Sequence, residues 1–123
     1  VAAYTLPEGF VQIKGTVLNL SSTTSAGMLN AYELAFGTAD GTDAASADIA
    51  GTEEDIIAGI AVTNGATQAA QSTNFTVVDI DGHSSAGVIY LNVAQEDAGI
   101  DVGGGTVALT GTAVIHWTYY GDY

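Results

Sequence analysis

Apolar residues occur along this chain in short runs, many of them alternating with polar residues, and clusters of Gly, Asp, Asn and Ser separate the runs. A period of two is typical of β-strands that bury one face, whereas the spacing of an amphipathic helix is hard to find here. Residues 10–20 read as one long strand, or as two with a kink at Gly15, because a glycine inside a strand often marks a bulge. The pattern therefore predicts a chain built from β-strands.

Further strands are predicted at residues 31–36, 56–63, 74–80, 88–93, 107–109 and 112–120. About seven short strands separated by turn residues indicate an all-β fold, an antiparallel β-sandwich of jelly-roll or Ig-like type. The connections include a long acidic loop at residues 37–54 and shorter loops at 21–27 and 65–73. Thr52 could cap a helical turn over residues 53–60, but a strand is preferred there.

The length of 123 residues fits one domain whose core needs no metal or disulfide. Residues 1–9 precede the first long strand and are expected to form an extended N-terminal arm. Hydrophobic residues make up 47% of the chain, which is too many for a disordered acidic tail. Cysteine is absent, so disulfides, thiolate nucleophiles and cysteine zinc sites are excluded.

The charge is strongly one-sided, because Lys14 is the only Lys or Arg against 14 carboxylates, for a formal net charge of −13. Such a chain cannot neutralise phosphates, so nucleic acid and anionic membrane surfaces are poor partners. No run of apolar residues approaches the roughly 18 needed to span a membrane. Salt should screen the repulsion between carboxylates and so favour the folded and assembled states.

Two groups of carboxylates are candidate sites for Ca²⁺ or Mg²⁺, although no cofactor is required by the sequence. Asp79, Asp81 and His83 share parity, so on an unbroken strand they would point from one face. Asp81-Gly82 is also a favoured hairpin turn, which would scatter these side chains and is the preferred interpretation. Asp40 and Asp43, with Asp48, lie in the long loop, where oxygen ligands suit Ca²⁺ but the spacing does not match an EF-hand.

The densest aromatic stretch is residues 112–120. Ile115, Trp117 and Tyr119 share one face, and Tyr120 lies on the other. The preferred interpretation is a central strand with the Trp117 face in the core. If Trp117, Tyr119 and Tyr120 were exposed instead, they would form a sugar-stacking platform or anchor an interface.

No catalytic pattern accompanies these features. The triple glycine at residues 103–105 lacks the lysine of a phosphate-binding loop, and Ser84 and Ser85 lie in no Gly-x-Ser-x-Gly nucleophile motif. Fourteen carboxylates do not by themselves make a glycosidase pair. We expect a protein that is not an enzyme.

The run Val88-Ile-Tyr-Leu-Asn-Val-Ala and the C-terminal segment that ends in Gly121-Asp-Tyr resemble small structural proteins of tailed bacteriophages. The opening Tyr4-Thr-Leu-Pro-Glu-Gly-Phe is similar in character, and the resemblance covers about a third of the chain. It implies a virion component, a capsid decoration or cement protein that binds the major capsid protein and itself, commonly as a trimer. By analogy with that group, contacts are expected from the N-terminal arm and the first strand, at Tyr4, Leu6, Pro7, Phe10 and Lys14.

Two other functions stay open on the sequence. One is a carbohydrate-binding or adhesive module that uses the aromatic residues near the C-terminus. The other is a subunit of a bacterial or archaeal surface filament or of a phage tail, which the acidic, Thr-rich, cysteine-free composition also allows. A free strand edge with an exchangeable arm would favour the filament.

Overall fold

The computed structural model describes residues 1–24, 32–41, 49–62, 68–83, 85–95 and 107–121, which form two antiparallel β-sheets packed against each other. This confirms the predicted all-β sandwich, with eight strands instead of about seven. The strands are β1 (Ala2–Thr5), β2 (Gly9–Thr24), β3 (Tyr32–Gly37), β4 (Ile57–Val62), β5 (Gln68–Asn74), β6 (Val78–Gly82), β7 (Val88–Gln95) and β8 (Val107–Gly121).

The first sheet, here called the β3 sheet, has the strand order β1-β7-β3-β4. Its central ladder places Leu34 opposite Val93 on one side and opposite Ile60 on the other. Tyr32, Leu34 and Phe36 are alternate residues of β3, and all three are buried. They form the inward apolar face that the alternation in the sequence predicts.

The second sheet, here called the β2 sheet, is organised around the 16-residue strand β2. One edge of β2 pairs with β6 over residues 9–13 and with β5 over residues 16–22, and the other edge pairs with β8 along almost its whole length. The β2–β8 register shifts between Ile13 and Gly15, so the kink predicted at Gly15 is a bulge.

The core lies between the sheets and consists of aliphatic and aromatic side chains from both. Its larger cluster includes Leu6, Val11, Ile13, Leu18, Phe36, Ile56, Ile57 and Ile89, and a smaller one contains Tyr32, Leu34 and Val62. The Tyr32 hydroxyl shares a hydrogen bond with the buried Ser22 hydroxyl on the facing sheet. Burial raises the pKa of Tyr32, because the phenolate would be poorly solvated there.

Several predicted boundaries are wrong. Residues 74–80 are divided between β5 and β6 instead of forming one strand, and part of the predicted loop 65–73 belongs to β5. The predicted loop at 21–27 begins late, since β2 continues to Thr24, and the two predicted C-terminal strands are one strand, β8. In the segment 53–60, a 3-10 turn at Gly51–Glu53 is followed by β4, so the preferred strand forms from Ile57.

Asp81-Gly82 does not form the predicted hairpin turn. Gly82 ends β6 in the β2 sheet, and the chain crosses to begin β7 in the other sheet. A two-residue hairpin turn joins neighbouring strands of one sheet. Because β6 and β7 lie in different sheets, no such turn is needed between them.

Residues 1–9, which were predicted to form an extended N-terminal arm, pair in part within their own chain. Strand β1 lies at the edge of the β3 sheet against β7, and the Leu6 N–H donates to the Gly87 carbonyl at 2.8 Å. The N-terminal amine donates to the Leu91 carbonyl at 2.9 Å and lies 3.3 Å from a carboxylate oxygen of Asp40. Among the described residues, no helix is long and apolar enough to cross a membrane.

Candidate interaction surface

The outer face of the β3 sheet, the side turned away from the other sheet, is covered by the connection between β3 and β4. Outward-pointing Ala35 is fully buried, and the backbone of Thr52 and Glu53 lies directly against Gly37. The buried Asn92 amide donates to the carbonyls of Ala39 at 3.0 Å and Glu53 at 2.7 Å. The connection therefore occupies the face on which another molecule could otherwise pack.

Asp55 fastens the same connection to the end of β3. Its two carboxylate oxygens accept from the Thr38 N–H at 2.9 Å and from the Thr38 hydroxyl at 2.7 Å. The Gly41 N–H donates to the Asn92 side-chain oxygen at 2.9 Å. Both the oxygen and the nitrogen of the Asn92 side chain therefore form hydrogen bonds. Asp55 thus serves the fold, because its carboxylate accepts from both the backbone and the side chain of Thr38.

The outer face of the β2 sheet carries exposed apolar side chains instead. Phe75, between β5 and β6, is 72% exposed, Tyr120 57%, Val77 50% and Val114 46%. The Phe75 ring rests on the outer side of Gly15, where a Cβ atom would approach ring atom Cδ1 to 2.9 Å. Where β2 pairs with β5, a groove of about 440 Å³ is lined by Val17, Leu18, Asn19, Ser72 and Thr73. Contiguous exposed apolar groups are a common mark of interaction sites on soluble proteins.

Strand β8 forms one edge of the β2 sheet. Among the described strands it pairs with β2 alone, so its other edge presents backbone N–H and C=O groups that lack a ladder partner. Most of its side chains are exposed, and its 15 residues include no Asp, Glu, Lys, Arg or Pro. Proteins usually protect long edge strands with such residues, because an open edge pairs readily with another strand. We call the outer edge and exposed side chains of Val107–Gly121 the β8 surface.

Trp117 and Tyr119 are not in the core, which corrects the preferred prediction of a central strand. The register places Trp117 opposite Ile13 and Tyr119 opposite Val11, so both aromatics do lie on the inward face. Nevertheless Trp117 is 37% and Tyr119 45% exposed, because an edge strand is covered by the facing sheet only in part. Closer to the middle of the strand, Ile115 is half-buried against the core. Tyr120 lies on the other face, so the three aromatics do not form one platform.

Lys14 lies on the outer face of the β2 sheet, where Phe10 and Tyr120 are its aromatic neighbours. Its Nζ donates to Gln12 Oε1 and to the Tyr120 hydroxyl at 3.3 Å, and it lies 5.8 Å from the centre of the Tyr120 ring. The rings of Phe10 and Tyr120 are 5.6 Å apart and tilted by 54°. This is a cation–π arrangement at an exposed site. Both hydrogen-bond partners of Lys14 are neutral, so its charge has no carboxylate partner among the described residues.

The other predicted interface residues are divided between surface and core. Tyr4 is 51% exposed on β1, and Pro7 is half-buried. Leu6 is only 2% exposed and belongs to the core of its own chain, so its side chain is not on the surface where an interface was predicted. The structure brings together Phe10 and Lys14, and it places Tyr4 on the other sheet.

The carboxylates proposed as metal ligands do not come together where the structure describes them. Asp79 and Asp81 do point from one exposed face of β6, contrary to the predicted turn, but Asp79 accepts from Gln12 Nε2 at 2.6 Å and Asp81 from the His83 N–H at 3.1 Å. Asp40 lies near the N-terminal amine, whereas Asp43 and Asp48 lie outside the described residues. Within the described part of the chain, no three His, Asp or Glu side chains are placed to hold a metal ion.

Sequence reasoning did not find Phe75, Val77 and Val114 as exposed apolar residues. Each lies in a β-like pattern, and an alternating pattern does not tell which of the two faces a second sheet will cover. For Val114, the available signal was the absence of charge along residues 107–121 in a chain of net charge −13. Comparison with known proteins finds no matching family model, no similar curated protein and no similar solved structure.

Proposed function

We propose that this protein is a non-enzymatic structural component of a virion, a capsid decoration or cement protein that binds between major capsid subunits. The observation that carries the proposal is the β8 surface, a long uncharged strand edge beside exposed apolar groups on the β2 sheet. A surface of this kind suits a subunit that is meant to be covered by other subunits. The resemblance of the C-terminal third to phage structural proteins supports the same role.

The excess of negative charge on the chain suits a position on the outer surface of a capsid. With 14 carboxylates against Lys14, the exposed remainder of the chain would keep a crowded shell soluble and repel released DNA. Lys14, whose described contacts are to neutral groups, is available to pair with a carboxylate on the major capsid protein. Neither nucleic acid nor membrane is a partner in this proposal, and no cofactor takes part.

Electron microscopy of the native assembly that contains the chain, with an antibody against the chain, tests this function. We expect regular labelling of the outer surface of an icosahedral head. Labelling along a tail or a cellular filament would instead support the tail or filament subunit. A chain found only free in solution would contradict the proposal.

Docking on the particle is tested with variants of exposed residues, whose folding should change little. Phe75→Ser removes an aromatic ring from the outer face of the β2 sheet, and Ala58→Ser makes an exposed site on β4 more polar as the control. In co-sedimentation with heads stripped of the protein, we expect roughly tenfold weaker binding for Phe75→Ser, as for loss of one buried aromatic contact, and no change for Ala58→Ser. Tyr4→Ser separates a contribution of the arm from that of the sheet face.

A carbohydrate-binding module is the second candidate, favoured by the partial exposure of Trp117 and Tyr119 on one face of β8. Aromatic faces of this kind stack on sugar rings. Trp117 is the only tryptophan, so intrinsic fluorescence reports on this position alone. A saturable fluorescence change on adding an oligosaccharide, abolished by Tyr119→Ala, would favour this function over the capsid role.

A further inference from the structure

The open edge of β8 is able to pair with the same edge of a second copy of the chain. Val107–Gly121 is longer than any other described strand except β2, and its outer edge has no ladder partner among the described strands. Two chains that each carry a charge of −13 repel each other over most of their surfaces. Because β8 contains no Asp, Glu, Lys or Arg, its edge is a place where two copies can meet without opposing carboxylates.

The side chains of β8 are also unevenly distributed along its length. The first half, residues 107–113, contains mainly small side chains, whereas the second half, residues 115–121, contains Ile115, His116, Trp117, Tyr119 and Tyr120. Val114 lies at the midpoint. Full antiparallel overlap of two copies therefore places the aromatic side chains of one strand opposite smaller side chains of the other.

The individual pairs follow from this register. Trp117 of one copy faces Gly111 of the other, Ile115 faces Ala113, and Tyr119 faces Leu109, all on the inward face of the sheet. Gly111 has a φ of +137° and no side chain of its own, so an aromatic ring from the opposite strand would cover exposed backbone there. Pairing would also cover Trp117 and Tyr119, which the facing sheet leaves partly exposed.

We propose that two copies of this chain associate through their β8 edges, antiparallel and centred on Val114, to join their β2 sheets into one continuous sheet. The pairing is two-fold symmetric and closes on itself, so it predicts a dimer and not the trimer expected from the resemblance. It concerns the chain alone and does not depend on the capsid role.

Analytical ultracentrifugation of the purified full chain tests the proposal, with NaCl at about 1 M to screen the carboxylates. We expect a reversible dimer of twice the 12.4 kDa chain mass. A monomer at protein concentrations of several hundred micromolar, or a trimer or open-ended polymer, would overturn it.

Variants of the central residue add a test that separates edge pairing from a general effect of charge. Val114 is 46% exposed, so replacing it should leave the fold intact, as circular dichroism would verify. In a pairing centred on Val114, both Val114→Glu and Val114→Lys place like charges opposite each other, and each should raise the dimer Kd roughly five- to tenfold in low salt. Ala58→Glu adds the same charge on exposed β4, in the other sheet, and should leave Kd within about twofold, because it lies away from the β8 edge.

The two charge variants distinguish edge pairing from a general effect of net charge, because they change the net charge of the chain in opposite directions. If association were governed by net charge alone, Val114→Lys would tighten the dimer while Val114→Glu weakened it. That result, or an unchanged Kd for both variants, would contradict edge pairing at Val114. Binding to heads is measured separately, so failure of the dimer and failure of the capsid role are distinguishable.

Discussion

At the scale of single residues, two glycines, one on each sheet, show that the outer faces of the two sheets are covered differently. Gly37 lies under the backbone of Thr52 and Glu53, whereas Gly15 lies under the exposed ring of Phe75. A methyl group at Gly37 would overlap main chain that is held by the Asn92 hydrogen bonds. At Gly15 the methyl group would meet a side chain that can turn away into solvent.

We therefore predict that Gly37→Ala destabilises the protein by about 2–3 kcal/mol, the upper part of the range for overpacking. Gly15→Ala is the matched control and should cost less than about 1 kcal/mol, since its obstacle is mobile. The free energies of unfolding in urea measure both. Equal losses for the two variants would contradict a β3 sheet that is covered by its own chain.

Because of Tyr32, the stability of the fold depends on pH in the alkaline range. Burial raises the pKa of its hydroxyl above the ordinary value, so the folded state keeps the proton when the unfolded state begins to release it. The stabilisation is complete below about pH 10, the ordinary pKa of tyrosine, and is lost as the pH rises through the folded pKa.

We predict that the free energy of unfolding falls above about pH 10 and that Tyr32→Phe makes this fall shallower. At neutral pH the variant should be less stable by about 1 kcal/mol, because the Ser22 hydroxyl loses its buried partner. Urea unfolding from pH 8 to 11 provides the comparison. An equally steep fall in the variant would show that other groups cause it.

At the scale of strands, alternation in the sequence predicted β3 and β7, whose inward apolar residues pack in the core, and Gly15 predicted the bulge in β2. It failed where neighbouring context decides the outcome. Asp81-Gly82 has the residues of a hairpin turn, yet the chain there passes from one sheet to the other. A local turn preference is weaker than the burial gained by packing Ile80 and Ile89 into a shared core.

The same dependence on neighbouring context explains why the candidate surface was predicted only in part. The sequence identified Phe10, Lys14, Trp117, Tyr119 and Tyr120 as residues of interest, and the parity of Trp117 and Tyr119 was correct. Their exposure depends on β8 being an edge strand, and strand order is a property of long-range pairing. Phe75 was not identified, since its position over Gly15 depends on the end of one strand meeting the bulge of another.

At the scale of the whole molecule, the charge imbalance predicts that salt stabilises the fold. The one ion pair among the described residues joins the N-terminal amine to Asp40, and the exposed carboxylates otherwise repel one another. We expect the thermal midpoint to rise from about 0.01 M to about 1 M NaCl as the Debye length falls from about 30 Å to about 3 Å.

KCl should match NaCl in that experiment, since screening depends on ionic strength and not on the identity of the cation. A midpoint that stays constant or falls with salt would mean that repulsion among the carboxylates is unimportant for stability. A response to one cation but not the other would point to specific ion binding.

Both proposals require that β8 become covered, in a dimer or on a particle. Hydrogen exchange of the β8 backbone amides at low and high protein concentration tests this requirement most directly. Alternate amides of an edge strand face away from β2 and exchange quickly in a monomer. We predict that these amides of Val107–Gly121 become protected at high concentration in the wild type and are less protected at the same concentration in Val114→Glu. Exchange that is the same at both concentrations, or protection confined to β1, would contradict β8 as the dimer surface.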